Sequence, residues 1–374
     1  MSTGATSTTN GHADLVNRLL RMAVERGGSD LHLIAHSPPR FRLHGDLQVL
    51  EPDLLDEQEL TGNLQSIATP VAAATFDRED QADFAYSIEG LSRFRVNVFR
   101  HLGGMGAVMR AIPSEAVTLE SLKLPDVVRS LCQHRQGMIL VTGKTGSGKS
   151  TTLAAMINEI NRSRKGHIIT IEDPIEFVHT RIGCLISQRE VGNHTPSFAE
   201  ALHSALREDP DVVLVGELRD LETMATAITA AEMGILVMGT LHTNGAAPTV
   251  DRIVHAFPPE KQPHVRTMLS TSLRGVISQQ LCKRKTGDGR IPALEILVNT
   301  PAISNLLRQG KLDQLETSMQ SGAGVGMRTM DAALQELLDR RFITPREAYE
   351  KAIAKERFRK RVEDSEPPPS RPGA

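Results

Sequence analysis

The chain has no tryptophan, and its two tyrosines and ten phenylalanines make aromatics only 3% of 374 residues. A surface for stacking the bases of a single strand would have to come from those few phenylalanines. A charge bias is also missing: 43 Lys and Arg against 45 Asp and Glu leave a net charge of -2 and a pI near 6.7. That balance gives no electrostatic reason to expect a nucleic-acid partner. Cys132, Cys184 and Cys282 lie far apart with no C-x-x-C pair, which argues against zinc or dithiol chemistry and leaves reduced core thiols as the expectation. No apolar run approaches the roughly 20 residues that span a bilayer, and the polar N-terminus has no apolar signal core. The expected compartment is the cytosol, with any membrane contact made through a partner. What is present, 40% hydrophobic and 24% charged residues, describes a globular chain long enough for two ordinary domains.

Both ends read as disordered tails: residues 1–11 are rich in Ser, Thr and Gly, and residues 363–374 carry three consecutive prolines among polar neighbours. Between them, Val16, Leu19, Leu20 and Ala23 trace one helix face that Gly27-Gly28 can stop. Phe41 and Leu43 alternate with arginines, Gly45-Asp46 offers a two-residue hairpin turn, and Leu47 and Val49 alternate on the return. The segment Ser92 to Phe99 sets Phe94, Val96 and Val98 on one strand face and Arg93, Arg95 and Asn97 on the other. Residues 12–112 therefore read as a small α+β sheet domain, and 113–125 as a linker.

In residues 126–362 apolar strands alternate with helical patterns, the mark of a mostly parallel α/β sheet. The strands are Met138 to Val141, Ile168 to Ile171, Val212 to Val215 and Ile235 to Leu241, with Asp220 and Gly234 as cap and stop of the helix between the last two. Val265, Met268, Leu269, Leu273, Val276 and Ile277 keep one helical face apolar, so the C-terminal third is expected to be mainly helical. Thr344-Pro345-Arg346-Glu347 has the form of a capping box for a last helix.

The strand at Met138 to Val141 runs into Gly143-Lys144-Thr145-Gly146-Ser147-Gly148-Lys149-Ser150, followed by Thr151, and then into apolar positions of helical period at Leu153, Met156, Ile157 and Ile160. This is a G-x-x-x-x-G-K-[ST] loop in its proper strand and helix setting. Its glycines let N–H groups converge on the α/β-phosphates of a nucleotide, Lys149 can reach the β/γ-phosphates, and the Ser150 hydroxyl is placed for Mg²⁺. A chance match in a chain of this length has a probability on the order of one per cent, so the motif is taken as a nucleotide site.

Ligands of open α/β sheets collect beyond the carboxyl ends of the strands, and further polar groups stand at such ends here. Glu172 follows Ile171, Glu217 follows Val215-Gly216, and His242 follows Leu241. Hydrolysis of a nucleoside triphosphate needs one carboxylate on the metal side and one to orient the attacking water. Glu217 is assigned to the metal and Glu172 to the water; His242 is placed to sense the γ-phosphate. A single strand-end carboxylate is otherwise a helix cap or a surface ion pair, the bland account for Asp173, Glu176 and Asp220. Phosphoryl transfer also gains from an added cation, and Arg93, Arg95 and Arg110 of the first domain are candidates, the alternative being a solvated arginine face.

These residues together resemble the PilT-type motors of type IV pilus retraction and twitching motility, within the secretion ATPase superfamily. The likeness runs over about residues 12–350. Gly27-Gly28-Ser29-Asp30-Leu31-His32-Leu33 is similar to the family's N-terminal signature, Ile171 to Phe177 to its aspartate box, Leu214 to Asp220 to its Walker B box, and Gly239 to Thr243 to its histidine box. The resemblance implies a PAS-like N-terminal domain followed by a RecA-like P-loop ATPase domain, and a ring-shaped homo-hexamer binding ATP and Mg²⁺ between the two domains. It implies too that Arg93, Arg95 or Arg110 approaches the nucleotide, and that the hexamer works at the inner membrane through a platform protein of the pilus machine, with a paralogous pilus ATPase as a further partner. The four-cysteine zinc insert of the assembly and export motors is missing, which favours retraction.

One stretch departs from the family pattern: Ala-Ile-Arg-Asn-Leu-Ile is replaced here by Ala302-Ile303-Ser304-Asn305-Leu306-Leu307. Ser304 is read as a surface position beside an apolar stripe, suited to partner contact. The missing cation leaves room for an accessory retraction motor. The other readings weighed are a subunit that needs nucleotide only for folding and a RecA-like nucleic-acid motor.

Overall fold

The computed structural model describes residues 13–43, 45–112 and 117–364. They divide into two compact units. The first holds residues 13–112 together with Asp173–Val178 and Glu190–His194 from later in the chain. The second holds the rest.

In the first unit α1 (Asp14–Glu25) is followed by β1 (Asp30–Ile34), β2 (Arg40–Leu43), β3 (Asp46–Val49), α2 (Glu57–Ile67), α3 (Pro70–Glu79), β4 (Gln81–Ile88), β5 (Ser92–His101) and β6 (Gly104–Ile112). The strands form a six-stranded antiparallel sheet in the order β3-β2-β1-β6-β5-β4. Val16, Leu19, Leu20 and Ala23 are buried as the periodicity requires, and they share a core with Phe94, Val96 and Val98 of β5. The hairpin turn differs from expectation. Leu43 pairs with Asp46, so Asp46 lies on the strand and Gly45, at φ 103°, lies before it; His44 lies outside the described residues.

The second unit begins with α4 (Asp126–Cys132), β7 (Gly137–Thr142), α5 (Lys149–Ser163), β8 (His167–Glu172), β9 (Leu185–Glu190), α6 (Phe198–Ala205), β10 (Val212–Val215), α7 (Leu221–Glu232), β11 (Leu236–Leu241), α8 (Ala246–His255) and α9 (Gln262–Ser272). It continues with β12 (Leu273–Lys283), β13 (Arg290–Val298), α10 (Pro301–Gln309), α11 (Leu315–Ser321), α12 (Met330–Asp339), α13 (Pro345–Lys351) and α14 (Glu356–Glu363). Its seven-stranded sheet has the order β13-β12-β7-β11-β10-β8-β9. β12, β7, β11, β10 and β8 are mutually parallel, and β13 pairs antiparallel with β12. Every residue of β7, β10 and β11 is buried, which is what a strand covered on both faces demands of its sequence. The caps of α7 and α13 form as read: Asp220 accepts from Thr223 N and Thr344 from Glu347 N. The Glu347 carboxylate reaches Lys283 N instead of closing the box, and α13 is not the last helix.

The C-terminal third is mainly helical as expected, but the stretch from Leu273 to Val298 corrects the sequence reading. The helical stripe ends at Ser272, and Leu273, Val276 and Ile277 lie on β12, followed by a second strand, β13. A fully buried strand shows no alternation, so its apolar positions satisfy a helical period equally well. Pairing decides: β12 has β7 on one side and β13 on the other, and at Gly275 a side chain would meet Leu131 and the Leu297 carbonyl at 2.9 Å. The expected linker is partly core as well, since Leu119 is buried and Val117, Leu122 and Leu124 pack with it. Residues 113–116 lie outside the described residues, as do 1–12 and 365–374, on which nearly all of the expected tails fall; Glu363 itself ends α14. All three cysteines are free and buried, and burial pushes the Cys132 and Cys282 thiols up to about 12. Among the described residues no helix is long and apolar enough to cross a membrane.

Candidate nucleotide-binding and catalytic site

The phosphate loop joins β7 to α5, whose 15 residues start at Lys149. Gly146 and Gly148 take φ of 76° and 88°, conformations that cost a side-chain-bearing residue about 1 kcal/mol or more. Gly143 has a different reason to be glycine: a Cβ there would meet the Gln279 carbonyl at 2.3 Å and Ser147 Oγ at 2.6 Å. No side chain caps the start of α5, so the N–H groups of its first turn are left for a ligand at the positive end of the helix dipole. Lys149 is buried, with Nζ donating to the Gly143 carbonyl at 2.9 Å and the Lys144 carbonyl at 3.3 Å. Ser147 Oγ is buried without a hydrogen-bond partner. A cradle that leaves a polar atom unmatched and an ammonium resting on carbonyls fits a phosphate group.

The neighbouring strand ends are drawn to this loop. Gly143 N bonds to Leu241 O at 3.3 Å, Leu218 N to Thr240 O at 2.9 Å and Gly216 N to Ile171 O at 2.7 Å, linking the ends of β7, β11, β10 and β8 in turn. Gly216 permits the last approach, because a Cβ on it would stand 3.3 Å from Glu172 Cα. His242 spans the gap. Its Nδ1 lies 3.4 Å from Thr145 Oγ1 of the phosphate loop, and its Nε2 lies 3.2 Å from Glu217 Oε1. Glu217 Oε2 is paired with Arg219 Nε at 2.7 Å. Glu172 Oε1 accepts from Thr170 Oγ1 at 2.7 Å and Gln188 Nε2 at 3.4 Å. The structure thus brings Thr145, His242 and Glu217 into one connected set, with Glu172 on the next strand end. Ser150 and Glu217 supply hard oxygen atoms of the kind Mg²⁺ takes, and the Glu217 carboxylate carries one ion-pair contact on each oxygen.

Gln279 and Thr152 belong to the site but carry no motif. Gln279, on β12, donates from Nε2 to Ser147 O and accepts at Oε1 from Thr152 Oγ1, both at 2.7 Å. The signal available in the sequence was the polar run Ser278-Gln279-Gln280 inside a buried apolar stretch, which the helical reading concealed.

In the first unit, Arg95 and Arg110 are register partners across β5 and β6, and Arg93 lies two residues from Arg95, so all three share a face of the sheet. Arg110 lies within β6 rather than at its end. Each has a carboxylate neighbour. Arg93 pairs with buried Glu190 at 2.9 Å, Arg110 with buried Asp30 at 2.7 Å, and Arg95 only loosely with exposed Asp83 at 3.7 Å. Burial alone would raise the Asp30 carboxyl, but hydrogen bonds from Ser29 and Arg110 outweigh it and hold the group below its ordinary value. Glu190 also accepts from Ile175 N and Asn193 Nδ2. Ser304, expected at the surface, is half-buried on α10 and donates from Oγ to Ser270 O at 2.6 Å.

The family described as Type II/IV secretion system protein matches residues 8–290. The type IV pilus retraction ATPase PilT of Pseudomonas aeruginosa is 47% identical over 343 residues, 92% of this chain and 99% of that protein. A twitching motility protein of Neisseria gonorrhoeae is 48% identical over 334 residues, 89% of each. The type IV pilus ATPase PilU of Pseudomonas aeruginosa is 40% identical over 337 residues, 90% of this chain and 87% of that protein. Among solved structures, the pilus retraction motor PilT with bound ADP matches with a TM-score of 0.86 at 44% identity, over 92% of this chain and 98% of that one.

Proposed function

Because the chain belongs to the Type II/IV secretion system protein family, we propose that it is the ATPase motor of type IV pilus retraction, working as a ring of six copies on an inner-membrane platform protein. The observation that carries the reading is the chain of contacts from Thr145 through His242 to Glu217, which joins the phosphate loop to the end of β10. A change at the phosphates is thereby felt at two further strand ends.

Lys149 exchanges the Gly143 and Lys144 carbonyls for phosphate oxygens, a charge-assisted replacement for neutral acceptors. The N–H groups from Gly146 into the first turn of α5 hold the remaining phosphates. Ser150 and Glu217 would hold Mg²⁺, which when bound neutralises charge on the β- and γ-phosphates. Glu172, steadied by Thr170 and Gln188, orients the attacking water. His242 has a polar neighbour at each ring nitrogen, so loss of the γ-phosphate is relayed as a change in its two contacts. Arg95 and Arg110, as surface-reaching cations of the first unit, are the groups to add charge at the nucleotide of their own or a neighbouring copy.

The purified chain should turn over ATP without nucleic acid, and a strain lacking it should lose pilus retraction that the wild-type chain restores and Lys149→Ala does not. Turnover that depends on added DNA would favour a nucleic-acid motor. The accessory-motor reading draws on Ser304, and full retraction in the deletion strain would favour it.

A further inference from the structure

We infer that Gln279 is a positioning residue that aims the phosphate loop, an inference that rests on the ATPase reading above. Gln279 is 3% exposed on β12, the strand hydrogen-bonded to β7 on the side away from β11, and it lies outside the glutamate, histidine and phosphate-loop motifs. Its amide has a single workable orientation. The Ser147 carbonyl can only accept, so Nε2 must face it, and Oε1 then takes the Thr152 hydroxyl proton.

The consequence follows from the planarity of the peptide. In a trans peptide the carbonyl of Ser147 and the N–H of Gly148 point in opposite directions. Holding that carbonyl against β12 therefore turns the Gly148 N–H away from β12. That direction is useful only if something on the far side of the loop accepts a hydrogen bond, and a phosphate oxygen is such a group. The same residue shapes the loop at two more points. Its backbone carbonyl occupies the place of a Cβ at Gly143, at 2.3 Å, and its Nε2 occupies that of a Cβ at Gly148, at 2.8 Å. Thr152 lies one helical turn beyond Gly148, so Gln279 ties both the loop and the first turn of α5 to a strand that carries no other part of the site. With no side-chain cap on α5, this amide is the restraint on the loop's last peptide.

Loss of the restraint lets that peptide rotate, and the cost appears when phosphates must order it again. The loop amides already meet the α/β-phosphates in the bound ground state, so loss of the restraint weakens ATP binding itself: Kd and KM rise, and kcat falls less, through the charge that the β-phosphate gains as the γ-phosphate leaves. A residue that merely filled space would be replaced by methionine without such a split.

The experiment is calorimetric titration of ATP with Mg²⁺ into the full-length wild-type, Gln279→Met, Gln279→Glu and Thr152→Val proteins, with steady-state turnover of each. Gln279→Met should raise Kd and KM about tenfold with kcat within about threefold, as expected for loss of a buried hydrogen bond that preorganises binding. Gln279→Glu should be worse, since its carboxylate faces a carbonyl, and Thr152→Val should raise Kd about threefold. Gln279→Met with a Kd within about twofold of wild type, or with kcat reduced at unchanged KM, overturns the inference. If the Gln279 variants do not fold, an unchanged Kd in Thr152→Val overturns it instead. Wild-type protein that binds no ATP removes the ATPase reading and this inference together, whereas wild-type binding with unaltered variants removes only the role of Gln279.

Discussion

The two sheets carry their charged residues in opposite places. In the first unit the strands alternate, Phe94, Val96 and Val98 inward and Arg93, Arg95 and Asn97 on the other face, so cations stand along the middle of β5. In the second unit β7, β10 and β11 are buried throughout, and Lys149, Glu172, Glu217 and His242 follow the strands or close them. The difference comes from coverage. A sheet packed on one side can hold charge anywhere along its free face, whereas a sheet packed on both sides can present it only where the strands stop. The first arrangement suits charges that meet another surface. The second gathers groups from distant parts of the chain at one edge, as catalysis requires.

The sharpest way to test that contrast is to change one atom at a strand end. Glu217→Gln keeps the shape of the side chain but removes the charge that pairs with Arg219 and His242. Turnover should fall ~100-fold or more, ~2.7 kcal/mol of barrier, while ATP still binds and thermal stability is nearly unchanged. Turnover near wild type would mean that the charge at the end of β10 is structural, and the contrast between the sheets would lose its chemical meaning.

On the other sheet, the arginines should separate by what they touch. Arg93 is the cation of Glu190, whose side chain is only 2% exposed, so Arg93→Ala leaves a buried carboxylate with the Ile175 and Asn193 donors alone. The expected loss is about 2 kcal/mol of stability, below the range for breaking a fully buried pair because those donors remain. Arg95 and its partner Asp83 are 49% and 58% exposed, and Arg95→Ala should cost under about 0.5 kcal/mol of stability. Its turnover should nevertheless drop by about tenfold, and mixing Arg95→Ala with Lys149→Ala subunits should restore part of it if the arginine acts on a neighbouring copy. Denaturant unfolding and turnover of the two variants, measured side by side, decide this. Equal stability loss at Arg93 and Arg95 would erase the distinction drawn between them.

What the sequence showed plainly was whatever left a pattern in one dimension. The phosphate loop, the strand-end acids, the alternation of β5 and the caps at Asp220 and Thr344 are all local, and all stand where they were expected. What it concealed depends on pairing. β12 read as helix because a strand buried on both faces has no polar alternation to betray it, and with that strand misread, Gln279 had no visible reason to lie beside Ser147, from which it is separated by 132 positions. Arg93 likewise read as a free cation, because its partner Glu190 lies 97 positions away.

The smallest effect is expected at Ser304, and it bears on whether the helices beyond the sheet belong to chemistry or to output. Ser304 Oγ bonds to the Ser270 carbonyl, which also receives Asn299 Nδ2 at 3.1 Å. Because the acceptor keeps a donor, Ser304→Ala should cost only about 0.5–1 kcal/mol, read as a small shift of the unfolding midpoint. Arginine is long enough to carry its charge from a half-buried site to solvent, so Ser304→Arg should fold, at the expense of the same hydrogen bond. Neither change touches the strand ends, and ATP turnover of both variants should stay within about twofold of wild type, ~0.4 kcal/mol. If a cation on α10 serves docking to a partner, Ser304→Arg should alter pilus retraction frequency or force in cells while Ser304→Ala does not. A large change in purified turnover with retraction unaffected would place α10 and the edge of α9 on the catalytic side, and the separation of strand-end chemistry from the rest of the second unit would fail there.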